Sequence, residues 1–323
     1  MIFIFTNLIK LLIIIVPVLI AVAYLTLAER KVLGYMQSRK GPNIVGIYGL
    51  LQPLADGVKL FSKEMTVPNH SSLILYFISP VLFLTLALVL WGIFPYTLNN
   101  LYSEPSLGLL FILAISSISV YAVLMSGWSS TSKYAYFGSL RAAAQMISYE
   151  VSMGLILLSV IICIGSLNVS TISWFQTNSS LFILTLIPAG VMFLVSLIAE
   201  TNRAPFDLTE GESELVSGYN VEYSSMSFAL LFLAEYANII FMSALFSLIF
   251  LGGWGGLFFS SIIWLGIKTS IVAMFFVWVR ASYPRIRYDQ LMMLLWKSYL
   301  PLSLGLLVLC SSILWSLGGL PPL

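Results

Sequence analysis

The strongest constraint on how this chain can fold is the recurrence of apolar runs about 20 residues long, each enough to cross the hydrocarbon of a bilayer as one helix. Eight such runs are legible, at 3–28, 73–94, 106–127, 147–167, 181–199, 227–251, 258–279 and 299–318. Only helices and closed barrels satisfy every backbone N–H and C=O inside lipid, and runs of this length point to helices. A charged fraction of 9% and a mean hydropathy of +1.00 exclude a soluble domain, in which about a quarter of residues are charged. The net charge of +2 gives no electrostatic footprint for nucleic acid. The expected fold is therefore an all-α polytopic membrane protein, packed as a single transmembrane domain over 1–323. No basic leader or small-residue cleavage pattern is visible ahead of the first run, which is read as a true span. No internal repeat is visible.

An even number of spans puts both termini on one side, and the charges say which. Of the fifteen basic residues, all but Lys10 and Lys268 fall in the alternate loops 29–72, 128–146, 200–226 and 280–298. The opposite loops, 95–105, 168–180 and 252–257, carry none. By the positive-inside rule the basic loops face the cytoplasm or the mitochondrial matrix, and both termini lie on the other side.

Two of those loops have character of their own. In the basic loop 29–72, Ile47, Leu50, Leu51, Leu54, Val58 and Phe61 recur at helical spacing, with Gln52, Asp56, Lys59 and Lys63 on the other stripe. This predicts an amphipathic helix over 44–64, lying on the membrane surface or packed on protein. The loop 200–226 is acidic: Glu200, Asp207, Glu210, Glu212, Glu214 and Glu222 are opposed by Arg203 alone. A solvated loop is the bland reading of such a run. Flanking apolar spans and the interruption at Pro205-Phe206 suit instead a folded loop lining an aqueous cavity.

Two cysteines, Cys163 and Cys310, and one histidine, His70, cannot build an iron–sulfur, haem or zinc site, so no metal is expected in this chain. Any redox chemistry needs a diffusible partner or a neighbouring subunit. Ionisable residues inside the membrane are expensive and mark candidate function. Glu150 lies near the start of the fourth run, Glu200 at the end of the fifth and Glu235 within the sixth, with Lys268 in the seventh. One alternative is a structural ion pair, Glu235 with Lys268. The other is a relay, because a carboxylic acid held in low dielectric can exchange protons near neutral pH. Arg30, Arg39, Arg280, Arg285 and Arg287, all on the basic face, could hold anionic lipid headgroups or dock a soluble partner.

Several long polar motifs carry a family resemblance. They are Ala28-Glu29-Arg30-Lys31 running on through Tyr35, Arg39-Lys40-Gly41-Pro42-Asn43, and Gln52-Pro53-Leu54-Ala55-Asp56-Gly57. Arg141 through Gln145 to Tyr149-Glu150, Glu200-Thr201-Asn202-Arg203-Ala204-Pro205-Phe206-Asp207, Glu210 through Glu214, and Tyr283-Pro284-Arg285-Ile286-Arg287 complete the set. The chain resembles subunit 1 of NADH:ubiquinone oxidoreductase, the membrane subunit of respiratory complex I that forms the quinone chamber. The resemblance implies a subunit of an H⁺-translocating NADH:ubiquinone reductase with no redox centre of its own and ubiquinone as bound substrate. It implies a quinone tunnel walled by Arg30, Asp56, Phe206 and Arg280, with Glu29 and Tyr35 in the same motif region. It also implies a proton relay of Glu150, Glu200, Asp207, Glu210, Glu212, Glu214 and Glu235. The partners implied are soluble quinone-site and iron–sulfur subunits, neighbouring membrane subunits and membrane lipids. The location implied is the mitochondrial inner membrane, ahead of a bacterial plasma membrane, with the basic loops facing the matrix. A stand-alone ion or solute transporter would show related halves with paired broken helices, and none is visible. A passive anchor for soluble redox subunits would have no use for the acidic loop.

Overall fold

A computed structural model of the chain describes residues 2–96, 105–178, 180–208, 218–255, 261–316 and 318, with the side chains of 2–8 and 261 excepted. Helices dominate, and no strand occurs among the described residues. In chain order they are α1 (Ile2–Met36), α2 (Gln52–Ser62), α3 (Leu73–Ile93), α4 (Gly108–Ser129), α5 (Lys133–Ile164), α6 (Val169–Asn178), α7 (Phe182–Thr185), α8 (Ile187–Glu200), α9 (Ser225–Ile249), α10 (Ser261–Ser282), α11 (Tyr288–Leu294) and α12 (Leu300–Ser316). A π-helical turn at Leu295–Tyr299 joins α11 to α12, so that 288–316 rises as one piece.

Seven of these helices, counting 288–316 once, are long and apolar enough to cross a membrane. The expected fifth span is broken instead of continuous: α7 stops at Thr185, Leu186 leaves the helical region at φ −120° and ψ 48°, and α8 starts at Ile187. Pro188 is the cause, since it lacks a backbone donor and is tolerated only in a helix's first turn. Other expected boundaries also move. α1 continues to Met36, eight residues beyond the apolar run, and α5 begins at Lys133 instead of 147. The helix ends where capping allows, whatever the hydropathy: Ser132 accepts from the Ala135 N–H at 3.3 Å and starts α5, and Gly165 in the left-handed region closes it. Glu29, Arg30, Lys31 and Arg141 thus sit on rigid helical extensions, not on loops.

α9 is the centre of the bundle. It packs against α3, α10 and α1, and every residue from Phe241 to Phe250 is buried. α4 and α5 approach closely through small residues, for a Cβ on Gly127 would fall 2.2 Å from Ser139 Oγ. Gly138 lies against Gly218, where an added Cβ would sit 2.8 Å from the facing Cα. The surface helix α2 is shorter than predicted, with a 3-10 turn at Ile47–Gly49 in place of its first part. Its apolar stripe, Leu54, Val58 and Phe61, is exposed, while Asp56 and Gly57 turn towards α1 and α9.

Candidate functional site

Four segments distant in sequence converge at the basic-loop end of the bundle. Glu29, near the end of α1, is 5% exposed and accepts hydrogen bonds from three donors. Tyr236 Oη of α9 donates at 2.6 Å, Arg203 Nη1 of the turn after α8 lies at 3.4 Å, and Arg280 Nη1 near the end of α10 completes the set. The Arg203 guanidinium also lies over the Tyr236 ring, 4.4 Å from its centroid. A carboxylate this buried is tolerable only because its charge is paired and its lone pairs are filled. The turn bearing Arg203 is itself tied down. Gln145 of α5 donates to the Ala199 carbonyl at 2.7 Å and the Phe206 carbonyl at 2.9 Å. Arg285 reaches Asp207 at 3.3 Å, and the Ile286 N–H donates to the Pro205 carbonyl at 3.1 Å.

Tyr236 joins this cluster to a cleft of about 400 Å³ between α1, α2 and α9. Apolar groups from Val22, Ala23, Leu60, Phe228 and Phe232 line most of it, with Arg30 and Asp56 as its charged groups. Arg30 donates to Asp56 at 2.7 Å, and Gln52 donates to the same carboxylate at 3.0 Å. The arginine is about half exposed, with a side-chain exposure of 53%, which puts this ion pair at the surface of the protein. Adjacent residues of α1 therefore serve two places, Glu29 the buried cluster and Arg30 the cleft. Successive helical residues point about 100° apart, which is what separates them.

A chain of polar groups crosses the bundle behind this cluster. Glu150 of α5 accepts from Ser116 of α4 at 3.1 Å and lies within electrostatic reach of Glu200 at the end of α8. Glu200 is 5% exposed and opens on a cavity of about 20 Å³ shared with Ser116, Ser119, Thr201 and Asn238. Glu200 Oε2 and Asn238 Oδ1 have no hydrogen-bond partner among the described residues. A space of this size holds about one water. Three residues before Asn238 on the same turn of α9, Glu235 accepts a hydrogen bond from the Tyr219 hydroxyl. Beyond it a hydroxyl cluster joins Tyr223 to Ser79 at 3.0 Å and to Ser129 at 3.2 Å, with the Tyr223 ring stacked 4.3 Å from Tyr76. Burial pushes the Tyr223 phenol above its ordinary pKa.

Comparison with known proteins decides the family. A sequence model of the family described as NADH dehydrogenase matches residues 9–311. NADH-ubiquinone oxidoreductase chain 1 of Metridium senile is 63% identical over 316 residues, which cover 97% of this chain and 95% of that one. The chain belongs to the NADH-ubiquinone oxidoreductase chain 1 family. Proteins of the same name in Chondrus crispus and Carassius auratus are 54% and 56% identical, covering 99% and 98% of this chain and 100% and 98% of their own lengths. The resemblance read from the motifs is borne out, and membership makes the chain a subunit of that oxidoreductase.

The residues that the family resemblance assigned to a tunnel wall separate. Arg30 and Asp56 line the cleft. Arg280 lies behind Tyr236 on Glu29, and Phe206 is buried 5.9 Å from the Tyr149 ring, away from the cleft lining. Tyr35 is exposed on the last turn of α1. Of the relay residues, Glu150, Glu200 and Glu235 are strung along the polar chain, and Asp207 pairs with Arg285. Glu210, Glu212 and Glu214 lie outside the described residues, as does the middle of the acidic loop. Lys268 does not meet Glu235. Its ammonium donates to the carbonyls of Leu251, Gly253 and Gly255 at 2.7, 2.9 and 2.8 Å, at the opposite end of the bundle. Sequence reasoning gave little weight to Glu29, met Gln145 only within a motif, and passed over Tyr236 and Asn238. Each is a polar residue inside or at the edge of an apolar helix, and that was the available signal.

Proposed function

We propose that this subunit forms the membrane wall of a ubiquinone-binding tunnel and passes the electrostatic consequence of quinone reduction into a proton-translocating carboxylate relay. The observation that carries the reading is the cleft between α1, α2 and α9, at about 400 Å³ within the range of small-molecule sites. Its apolar lining suits an isoprenoid tail, and the Arg30–Asp56 pair and the Tyr236 hydroxyl offer polar contacts to a headgroup. Reducing a quinone to a quinol takes two electrons and two protons. The electrons come from an iron–sulfur centre on a soluble neighbour, since this chain holds too few cysteine and histidine residues for one.

Charge arriving at the headgroup is felt first at Tyr236 and through it at Glu29, Arg203 and Arg280. In a water-poor interior one charge acts over several ångströms with little screening. Glu235 is the residue adjoining Tyr236 on α9, and Asn238 lies two further on beside Glu200. The relay then runs from Glu235 by way of Asn238 and Glu200 to Glu150, with Asp207 and the acidic loop at its entry. The basic loops face the matrix of the mitochondrial inner membrane, where soluble quinone-site and iron–sulfur subunits dock, while other membrane subunits continue the proton path.

A photoreactive ubiquinone analogue cross-linked to the assembled enzyme tests this reading. Label is expected on the stretches 22–30, 53–60 and 228–236. Labelling confined to other parts of the chain, or to other subunits alone, would remove the tunnel assignment.

A further inference from the structure

A second large cavity opens at the same end of the bundle and shares no lining residue with the quinone cleft. It measures about 490 Å³ and lies where α3 starts, α4 ends and α5 starts. Lys133 and His70, the chain's one histidine, line it together with Ser71, Ser72, Thr131 and Ser132. Trp128 and Tyr136 form its aromatic edges. No carboxylate lines it among the described residues, so its charge is positive and unopposed. Ser72 Oγ has no hydrogen-bond partner among those residues. Cationic and hydroxyl donors around an open hollow are suited to a phosphate oxygen.

Below the cavity the surface becomes apolar along two tracks. On α5 the exposed residues Tyr136, Leu140, Ile147 and Val151 follow one another at helical spacing, 43%, 40%, 53% and 48% exposed. On α4, Tyr121 lies two turns below Trp128 on the same face, and each is 60% exposed. Tryptophan and tyrosine at the ends of spans mark the headgroup level of a membrane. A charged hollow at that level, continued downwards by apolar tracks, matches a molecule with an anionic head and acyl chains.

We propose that this cavity binds the phosphate headgroup of an anionic membrane phospholipid, with Lys133 as the charge-recognising side chain, His70 and the hydroxyls as further hydrogen-bond donors, and the α4 and α5 tracks as the bed for its chains. A free phosphate would use the hollow and not the tracks. A protein partner would cover both and exclude lipid.

The test uses the assembled enzyme, reconstituted in phosphatidylcholine vesicles doped with a photoreactive phosphatidylglycerol or, in parallel, a photoreactive phosphatidylcholine. Cross-links are mapped by mass spectrometry. The anionic probe is expected to label the stretches 128–140 and 70–77 about five-fold more than the zwitterionic one, the ratio one surface cation supplies. Lys133→Gln is expected to remove most of that preference. Excess inorganic phosphate is expected to leave labelling unchanged, and unlabelled phosphatidylglycerol to compete it away. This competition is read on the wild-type enzyme, so the test stands even if the variant fails to assemble. Equal labelling by both probes, displacement by inorganic phosphate, or label landing only on a neighbouring subunit over these stretches would each overturn the proposal.

Discussion

Glu29→Gln is the substitution that most directly probes the buried cluster. It keeps the shape of the side chain and one acceptor oxygen while deleting the charge that faces Arg203, Arg280 and Tyr236. Removing one partner of a buried ion pair costs about 3–5 kcal/mol. Two features of the structure place this case near or below the lower end. Arg280 has a side-chain exposure of 33%, so water takes over part of its solvation. The glutamine carbonyl can still accept from Tyr236, saving a hydrogen bond worth about 1 kcal/mol. The expected loss is therefore about 2–3 kcal/mol.

A multisubunit membrane enzyme does not unfold in two states, so the readable quantity is a rate. At a fixed temperature the half-life to heat inactivation is expected to shorten by up to about 100-fold if the cluster is broken in the transition state. Arg280→Met on top of Glu29→Gln is expected to restore part of the loss, because it removes a cation that the first change leaves without its carboxylate. Raising ionic strength is expected to change the result little, since the cluster is shielded from salt. A half-life for Glu29→Gln within two-fold of wild type, with no interaction in the double variant, would refute the view that Glu29 ties these four segments together.

The remaining expectations follow from single contacts. Asp56→Asn breaks an exposed pair worth under about 1 kcal/mol, so heat inactivation should barely move while KM for a quinone analogue rises. Gly138→Ala forces a Cβ against the Gly218 backbone and is expected to cost about 1–3 kcal/mol, seen as a lower yield of assembled enzyme; Gly154→Ala, with open space around it, should assemble normally. Glu235→Gln should lower protons pumped per quinone reduced while the enzyme still assembles; unchanged pumping removes Glu235 from the relay. Lys268→Met strips the donor from three carbonyls and should shorten the heat-inactivation half-life, with the pumping ratio unaltered.

The number of apolar segments was legible because membrane crossing imposes a length, and that length is written directly in the sequence. Helix ends were not, because a helix runs on through polar residues wherever capping or packing permits, as from 29 to 36 and from 133 to 146. The break at Leu186 was announced by Pro188 inside the fifth run, but an unbroken apolar run masks such a signal. The alternative that paired Lys268 with Glu235 arose because only side chains are visible in a sequence. Its actual partners are carbonyls of the turn beyond α9, and no residue type betrays those. Glu29 was undervalued for a related reason. It closes an apolar run, where a carboxylate usually meets water, and its cationic partners lie 174 and 251 residues away.

What the sequence could not show at all is that one turn of α9 touches every part of the candidate site. Tyr236 lines the cleft and bonds Glu29, Glu235 takes the Tyr219 hydroxyl, and Asn238 faces the cavity of Glu200. Helical geometry spreads three such neighbours around the axis within about 5 Å of rise. Under the proposed function, this closeness removes the need for a long conformational path between quinone and relay. A charge appearing at Tyr236 acts on Glu235 and on the Glu200 cavity directly, through a water-poor interior in which Coulomb interactions persist. The coupling then depends on α9 being held still, and its fully buried half, from Phe241 to Phe250, is the part of the fold that does so.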